Sequence, residues 1–343
     1  MNSAERFLAA LKGRSCDRTP LAHVSALTTV ALQEATGCFM PAVHHDPEQL
    51  ARLGFANHEV LGFDAVSFII NYFSEPAALG VEMDYGARDA LPVYKSHPWR
   101  QVEDAKAPAD ILDRLPVRNC LKTLAIARKK CAGRCAVLGK VMGPFSMAMV
   151  MHGLENLMIG MIDDQAGMKH FVETAADVLI KCANAQFEAG ADAVAIGEGG
   201  AGANMLSPEM YQSFLMPIHQ RMLKAIQGQT IMHICGDITP RLGSMAKIGL
   251  TCFNFDWAIK PAVMKQASAG KFRIMGNINT GDLLMAGPDT IRKQVVECLE
   301  AGVDMISPGC AVSPKCPNAN FQAMRDAIDQ FLGHKESAGA ENA

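Results

Sequence analysis

The chain has 343 residues and a mass of 36.9 kDa, a size that suits one large barrel or two medium domains. Hydrophobic residues make up 49% of it and charged residues 20%, which provides a sizeable core and excludes a disordered composition. A net charge of -3 and a sequence pI near 6.4 leave no basic stripe for a phosphate backbone, so nucleic acid is not expected as a partner.

The first segment, Met1 to Gly13, is amphipathic and lacks the apolar stretch of a signal peptide. With no export signal, the 11 cysteines read as reduced thiols of a cytoplasmic protein and not as a disulfide framework. Strands are expected near Leu21–Ser25 and Ala65–Ile69. Asn71 to Leu112, with little periodicity and several prolines and aromatics, reads as an insertion over the fold. A third strand is expected near Ala136–Met142. The most apolar stretch, Lys140 to Met161, is interrupted by Gly143, Pro144, His152, Glu155 and Asn156, so no membrane span is expected.

Farther along, Phe171, Ala175, Val178, Leu179, Cys182 and Phe187 recur at helical spacing between Met168 and Ala189, and Gly190 stops the helix. Strands follow near Ala193–Ile196, Thr230–Ile234, Cys252–Phe255, Arg273–Gly276 and Asp304–Ser307. Gly197, Gly199, Gly200 and Gly202 lack the Gly-x-Gly-x-x-Gly spacing of a dinucleotide fold, and the next helix starts only at Ser207-Pro208-Glu209. Strands alternating with amphipathic helices predict a (β/α)8 TIM barrel over residues 1–333, followed by a polar tail from His334.

In such a barrel the chemistry sits at the C-terminal ends of the strands. The fifth expected strand runs through His233 and Cys235, two residues apart, so both side chains face one way. The eighth ends at Gly309-Cys310, where the glycine is expected to allow an unusual backbone. Seventy-five residues separate Cys235 from Cys310, about three βα units of roughly 25 residues each, which returns the cysteine to a similar height in the mouth. One histidine and two cysteines match a catalytic zinc site with an open fourth position, and thiolate and imidazole favour zinc over magnesium. Buried structural roles for the same three residues are the competing reading.

His233-Ile-Cys-Gly-Asp-Ile-Thr-Pro240, Gly276-Asn-Ile-Asn279 and Ile306-Ser-Pro-Gly-Cys310 resemble the methylcobamide:coenzyme M methyltransferase branch of the uroporphyrinogen decarboxylase superfamily. The likeness extends over Asp17-Arg-Thr-Pro20, Gly143-Pro-Phe145, Gly190-Ala-Asp192 and Leu206-Ser-Pro-Glu209. It implies a barrel, zinc on His233, Cys235 and Cys310, a methylcorrinoid delivered by a separate corrinoid protein, and a small thiol as acceptor. The decarboxylase itself fits poorly, because Leu21 to Thr29 has none of the arginines that clamp substrate carboxylates in that enzyme.

Within that resemblance, Glu198 is a candidate fourth ligand or proton acceptor, equally readable as a partner that orients His233. Asp237 and Asp256 are weaker candidates of the same kind. Asn277 and Asn279 are candidate substrate contacts or structural turns. Six methionines from Met142 to Met161, with Phe145 and His152, offer a soft rim for a corrin ring or simply pack helices; His152 is the candidate contact to the incoming cofactor. Cys316, before Pro317, reads as a helix cap, and Cys131 and Cys135 as structural residues at the barrel's bottom. Three other functions stay open: methyl transfer from a donor such as a methyl ether to reduced corrinoid, transfer to tetrahydrofolate, and a non-catalytic corrinoid-protein partner.

Overall fold

The computed structural model describes residues 1–341 apart from 26, 70–72 and 203, with side chains up to 333. Asn71, expected to open the insertion, and the last two residues of the expected tail lie outside that set.

β1 (Ala65–Val66) is followed by an antiparallel ribbon of β2 (Met83–Asp84) and β3 (Val93–Tyr94). Then come β4 (Ala136–Met142), β5 (Ala193–Gly197), β6 (Thr230–Ile234), β7 (Cys252–Phe255), β8 (Arg273–Ile278) and β9 (Met305–Pro308). β1 and β4 to β9 pair in chain order as one parallel sheet, with helices between strands as parallel crossovers require. The helix expected from Met168 runs Gln165–Glu188, capped by the Asp164 side chain on the Gly167 N–H.

The two sheet edges meet through one short stretch of chain. Leu21 bridges Ile306 in parallel. Ala22 N–H donates to Ile306 O at 3.0 Å, Ile306 N–H to Pro20 O at 2.9 Å, and Asp64 N–H to Leu21 O at 2.7 Å. The expected strand Leu21–Ser25 is therefore a single bridge, and the next pairs only over Ala65–Val66. A side chain replaces the missing ladder bond: the Asp64 carboxylate accepts the Leu21 N–H at 2.8 Å. It also receives Arg6 Nη1 at 2.7 Å and the Arg18 guanidinium through two contacts of 2.9 Å. All three side chains are almost wholly buried.

Successive strand residues alternate between two packed regions. Inward positions such as Ala136, Leu138, Ala193, Ala195, Ile231 and Met305 fill the barrel, plugged from below by Phe7 and Leu11 of the helix Ser3–Leu11. Outward positions such as Val141, Ile196, Met232 and Phe255 pack under the helices. The final helix spans Asn318–Glu341, so its backbone continues through residues 334–341 of the stretch expected as a polar tail. Among the described residues no single helix is long and apolar enough to cross a membrane, although Pro144–His152 with Leu154–Asp163, bent by 105°, qualifies as a pair by length and composition.

Because Asp64 holds two buried arginines and the closing strand segment, Asp64→Ala should cost about 3–5 kcal/mol of stability. Denaturant unfolding of the purified variant checks this; a loss below about 1 kcal/mol would show that the closure does not depend on it.

Candidate metal centre

β6 and the residue that follows it place His233 and Cys235 on the inner face because they are two residues apart, and Ile234 between them joins the outer packing. Gly236, at φ +78°, turns the chain immediately after Cys235. Across the mouth, β9 ends at Pro308 and delivers Cys310 through Gly309. That glycine, expected to allow an unusual backbone, does not take a positive φ. It is required by proximity, since a Cβ there would lie 2.8 Å from Trp257 N.

The three side chains converge. His233 Nε2 is 3.2 Å from Cys235 Sγ, Cys235 Sγ is 3.4 Å from Cys310 Sγ, and the donor atoms of all three residues lie within 4.8 Å of one another. Ligands at about 2.1–2.3 Å around a tetrahedral zinc are separated by roughly 3.5–3.8 Å, so these atoms need shift by only a few tenths of an ångström for the contacts at hand. His233 Nδ1 donates to Asn254 O at 3.2 Å, which leaves Nε2 with its lone pair towards the cluster. Asn254 is held in turn by Met275 O at 3.2 Å and Ser307 Oγ at 3.3 Å. The hydrogen bond between the two sulfurs holds the Cys310 thiol below its usual range and the Cys235 thiol above it. By donor chemistry and spacing, the set fits zinc.

The cluster borders a cavity of about 230 Å³. Its walls include Phe73, Leu91, Pro92 and Tyr94 of the insertion, Gly197 at the end of β5, Gly199 beyond it, and Lys140 of β4. The insertion therefore forms part of the mouth's wall. Burial pushes the Lys140 ammonium down to about 8, against the pull of Cys310, Cys235 and Glu75. Lys140 was absent from the candidates read from sequence, although a charge inside an otherwise apolar strand was its signal.

None of the remaining candidates makes a hydrogen bond to the cluster, although the charge of Asp256 bears on Cys235. Glu198 is completely buried and faces outward from the end of β5. Its carboxylate accepts Phe145 N–H at 3.2 Å, Ser146 N–H and Oγ–H at 2.7 Å each, and His219 Nε2–H at 2.9 Å. It caps the N-terminus of the helix Pro144–His152, where an anion is favoured. A Cβ on Gly143 would lie 2.3 Å from this carboxyl carbon, so the family-like Gly-Pro-Phe turn is shaped around Glu198.

His152 is occupied as well. Its Nδ1 donates to Trp99 O at 2.7 Å, and its ring stacks on Phe171 with centroids 4.5 Å apart. Asn277 donates through Nδ2 to Ile259 O at 2.7 Å and to Asp256 O at 3.2 Å, bracing the loop after β7. Asn279 caps the helix Thr280–Met285 through the Gly281 N–H at 2.8 Å. Asp237 turns its carboxylate to Thr239, and Asp256 caps Ala258 N–H at 2.9 Å. Cys316 is buried in the outer core, and Cys131 and Cys135 pack together with sulfurs 2.8 Å apart.

Residues 2–331 match the uroporphyrinogen decarboxylase (URO-D) family. The chain belongs to that family. Within it, a methylcobamide:CoM methyltransferase of Methanosarcina barkeri is 30% identical over 331 residues, covering 95% of this chain and 97% of its own. A uroporphyrinogen decarboxylase of Geotalea uraniireducens is 23% identical over 346 residues, covering 95% and 98%. A solved methyltransferase from Methanosarcina mazei superimposes with a TM-score of 0.93 at 30% identity, covering 96% of this chain and 99% of its own. The chain thus stands on the methyltransferase side of a family named for its decarboxylases.

Removing the Glu198 carboxylate strips His219 and a helix N-terminus of their acceptor. Glu198→Ala should lower stability by about 3–5 kcal/mol and leave zinc content unchanged, as measured by denaturation and metal analysis on one preparation. Loss of zinc at undiminished stability would return Glu198 to the metal.

Proposed function

We propose that this methyltransferase moves a methyl group from a methylated corrinoid, carried by a separate protein, to a small thiol such as coenzyme M, using zinc held by His233, Cys235 and Cys310. The observation that carries this reading is the convergence of one imidazole and two thiols on a cavity at the barrel mouth. The Methanosarcina barkeri relative is named for a methylcobamide and CoM, and it resembles this chain over nearly its whole length.

Bound there, zinc would supply the positive charge that keeps a substrate thiol ionised at neutral pH. The two cysteine side chains bring negative charge of their own, so the substrate sulfur keeps its nucleophilicity. Asn254 O fixes the imidazole that completes the set. Phe73, Leu91 and Pro92 wall the cavity and restrict water. The sulfur attacks the methyl carbon, the S–C bond forms, the Co–C bond breaks with its electron pair left on cobalt, and the thiol proton passes to solvent. The protein's share is positioning and deprotonation. A cavity of about 230 Å³ with one lysine among its described lining residues is ill matched to a tetrapyrrole bearing several carboxylates.

Free methylcob(III)alamin, a panel of thiols and zinc analysis of the same sample test the reading. The expected result is thiol-dependent appearance of cob(I)alamin by a zinc-containing protein. Cys235→Ala and Cys310→Ala should each lose zinc, with activity falling by more than the ~100-fold typical of losing an outer partner, while Cys316→Ser keeps both. Full zinc occupancy in Cys310→Ala would overturn the ligand set. A spectrum unmoved by every thiol, with reduced corrinoid methylated by a methyl ether, would reverse the direction.

A further inference from the structure

A short strap of backbone runs along both ligands that β6 and its loop supply. Gly197, at the end of β5, is level with His233. Glu198 N–H then donates to His233 O at 2.8 Å, and a Cβ on Gly202 would lie 3.2 Å from Cys235 O. Gly197 and Gly199 of the same stretch line the cavity beside the cluster. An added methyl group would already press on the Cys235 carbonyl, so the glycine at 202 lets the strap lie this close.

The strap is fixed at its start by the backbone bond to His233 and towards its end by a side chain. Arg241, on the loop that Cys235 itself opens, donates from Nη2 to Ala201 O at 2.6 Å, while Ala201 N–H turns back to Glu198 O at 3.1 Å. The guanidinium lies over the Tyr211 ring, 5.1 Å from its centroid. Tyr211 O–H donates to His219 Nδ1 at 3.1 Å, and His219 Nε2–H to the Glu198 carboxylate at 2.9 Å. These contacts close a circuit that leaves the strap at Ala201 and re-enters it at Glu198. Residues eight apart on an α-helix stand about 80° out of line; the π-helical turn Tyr211–Leu215 absorbs that difference and lets Tyr211 meet His219.

Arg241 is a costly way to pack a core. It is 1% exposed, and its Nε and Nη1 have no hydrogen-bond partner among the described residues. A buried charge with unfilled donors destabilises a fold, and a methionine would occupy much of the same space without that cost. Such a group calls for a role that packing does not supply.

We propose that Arg241 is a positioning residue for the metal centre: by pinning Ala201 O it holds the strap 198–202 against the backbone of His233 and Cys235, and so fixes where the two ligand atoms point. Glu198 contributes to the strap through its own N–H, which a change of side chain leaves in place. The proposal rests on the zinc reading of the site, and the test keeps the two apart.

Zinc affinity is measured by competition with a chromophoric chelator for wild type, Arg241→Met, Arg241→Lys and Gly202→Ala, and thermal unfolding is followed on the metal-free proteins. Arg241→Met should bind zinc roughly 10- to 100-fold more weakly, the loss usual for a partner outside the ligand shell, while its metal-free melting point stays level with wild type or rises. Arg241→Lys, which keeps a donor for the carbonyl, should recover part of the affinity. Gly202→Ala, at a φ of -58° that suits alanine, pushes on the strap without altering Arg241. It should also weaken zinc, and combined with Arg241→Met the losses should fall short of additive. In the metal-free proteins iodoacetamide should label Cys235 about threefold faster or more in Arg241→Met than in wild type, relative to Cys16 at the barrel's other end. Unchanged zinc affinity in Arg241→Met or in Gly202→Ala overturns the proposal, as does a loss of affinity that appears only together with a fall in metal-free melting point. A wild type that takes up no zinc would sink the zinc reading, and the labelling of Cys235 would then decide the positioning role by itself.

Discussion

Alternate residues of each barrel strand belong to different interiors, and the placement of chemistry in this protein depends on that two-residue period. Lys140, Gly197, His233, Asn254 and Ser307 take the inward positions near the mouth, while Val141, Ile196, Met232 and Phe255 take the outward ones. The same parity that brings His233 of β6 and Cys235 just past it together sends Glu198 outward at the end of β5, onto the helix that follows β4. A slip of one residue in either strand would exchange these roles. The site and its supporting scaffold are thus two faces of the same strands.

The two ends of the barrel use polar groups in opposite ways. At the bottom, Arg6, Arg18 and Asp64 satisfy one another and close the sheet where its backbone ladder is thinnest. At the mouth, His233, Cys235 and Cys310 share short contacts with each other and keep donor atoms pointed at a common point. The lower network contributes stability and the upper one supplies a binding site, in keeping with the division of labour common to this architecture.

Much of this was legible in the sequence. The βα alternation predicts the barrel, His-x-Cys follows from the strand period, and Cys310 follows from the end of the last strand. The first strand was overestimated because its apolar residues say nothing of its partner: one bridge and the Asp64 side chain suffice to close the sheet. His152, Asn277 and Asn279 are ordinary polar residues whose partners, Trp99 O, Ile259 O and the Gly281 N–H, are set by loop geometry that no local pattern encodes. Glu198 was misplaced for a reason the sequence contains, since Ala193, Ala195 and Gly197 set the parity that turns the next residue outward. Lys140 is the converse case, a charge at an inward position that parity would have brought to the mouth.

The central claim is that His233, Cys235 and Cys310 hold zinc with one position left for a substrate sulfur. Zinc K-edge X-ray absorption of the purified protein, recorded with and without thiol, tests it most directly. The account predicts two sulfur scatterers and one imidazole in the resting protein and a third sulfur once thiol is added. A shell of two sulfurs that thiol leaves unchanged, or a protein that retains no zinc, would contradict it.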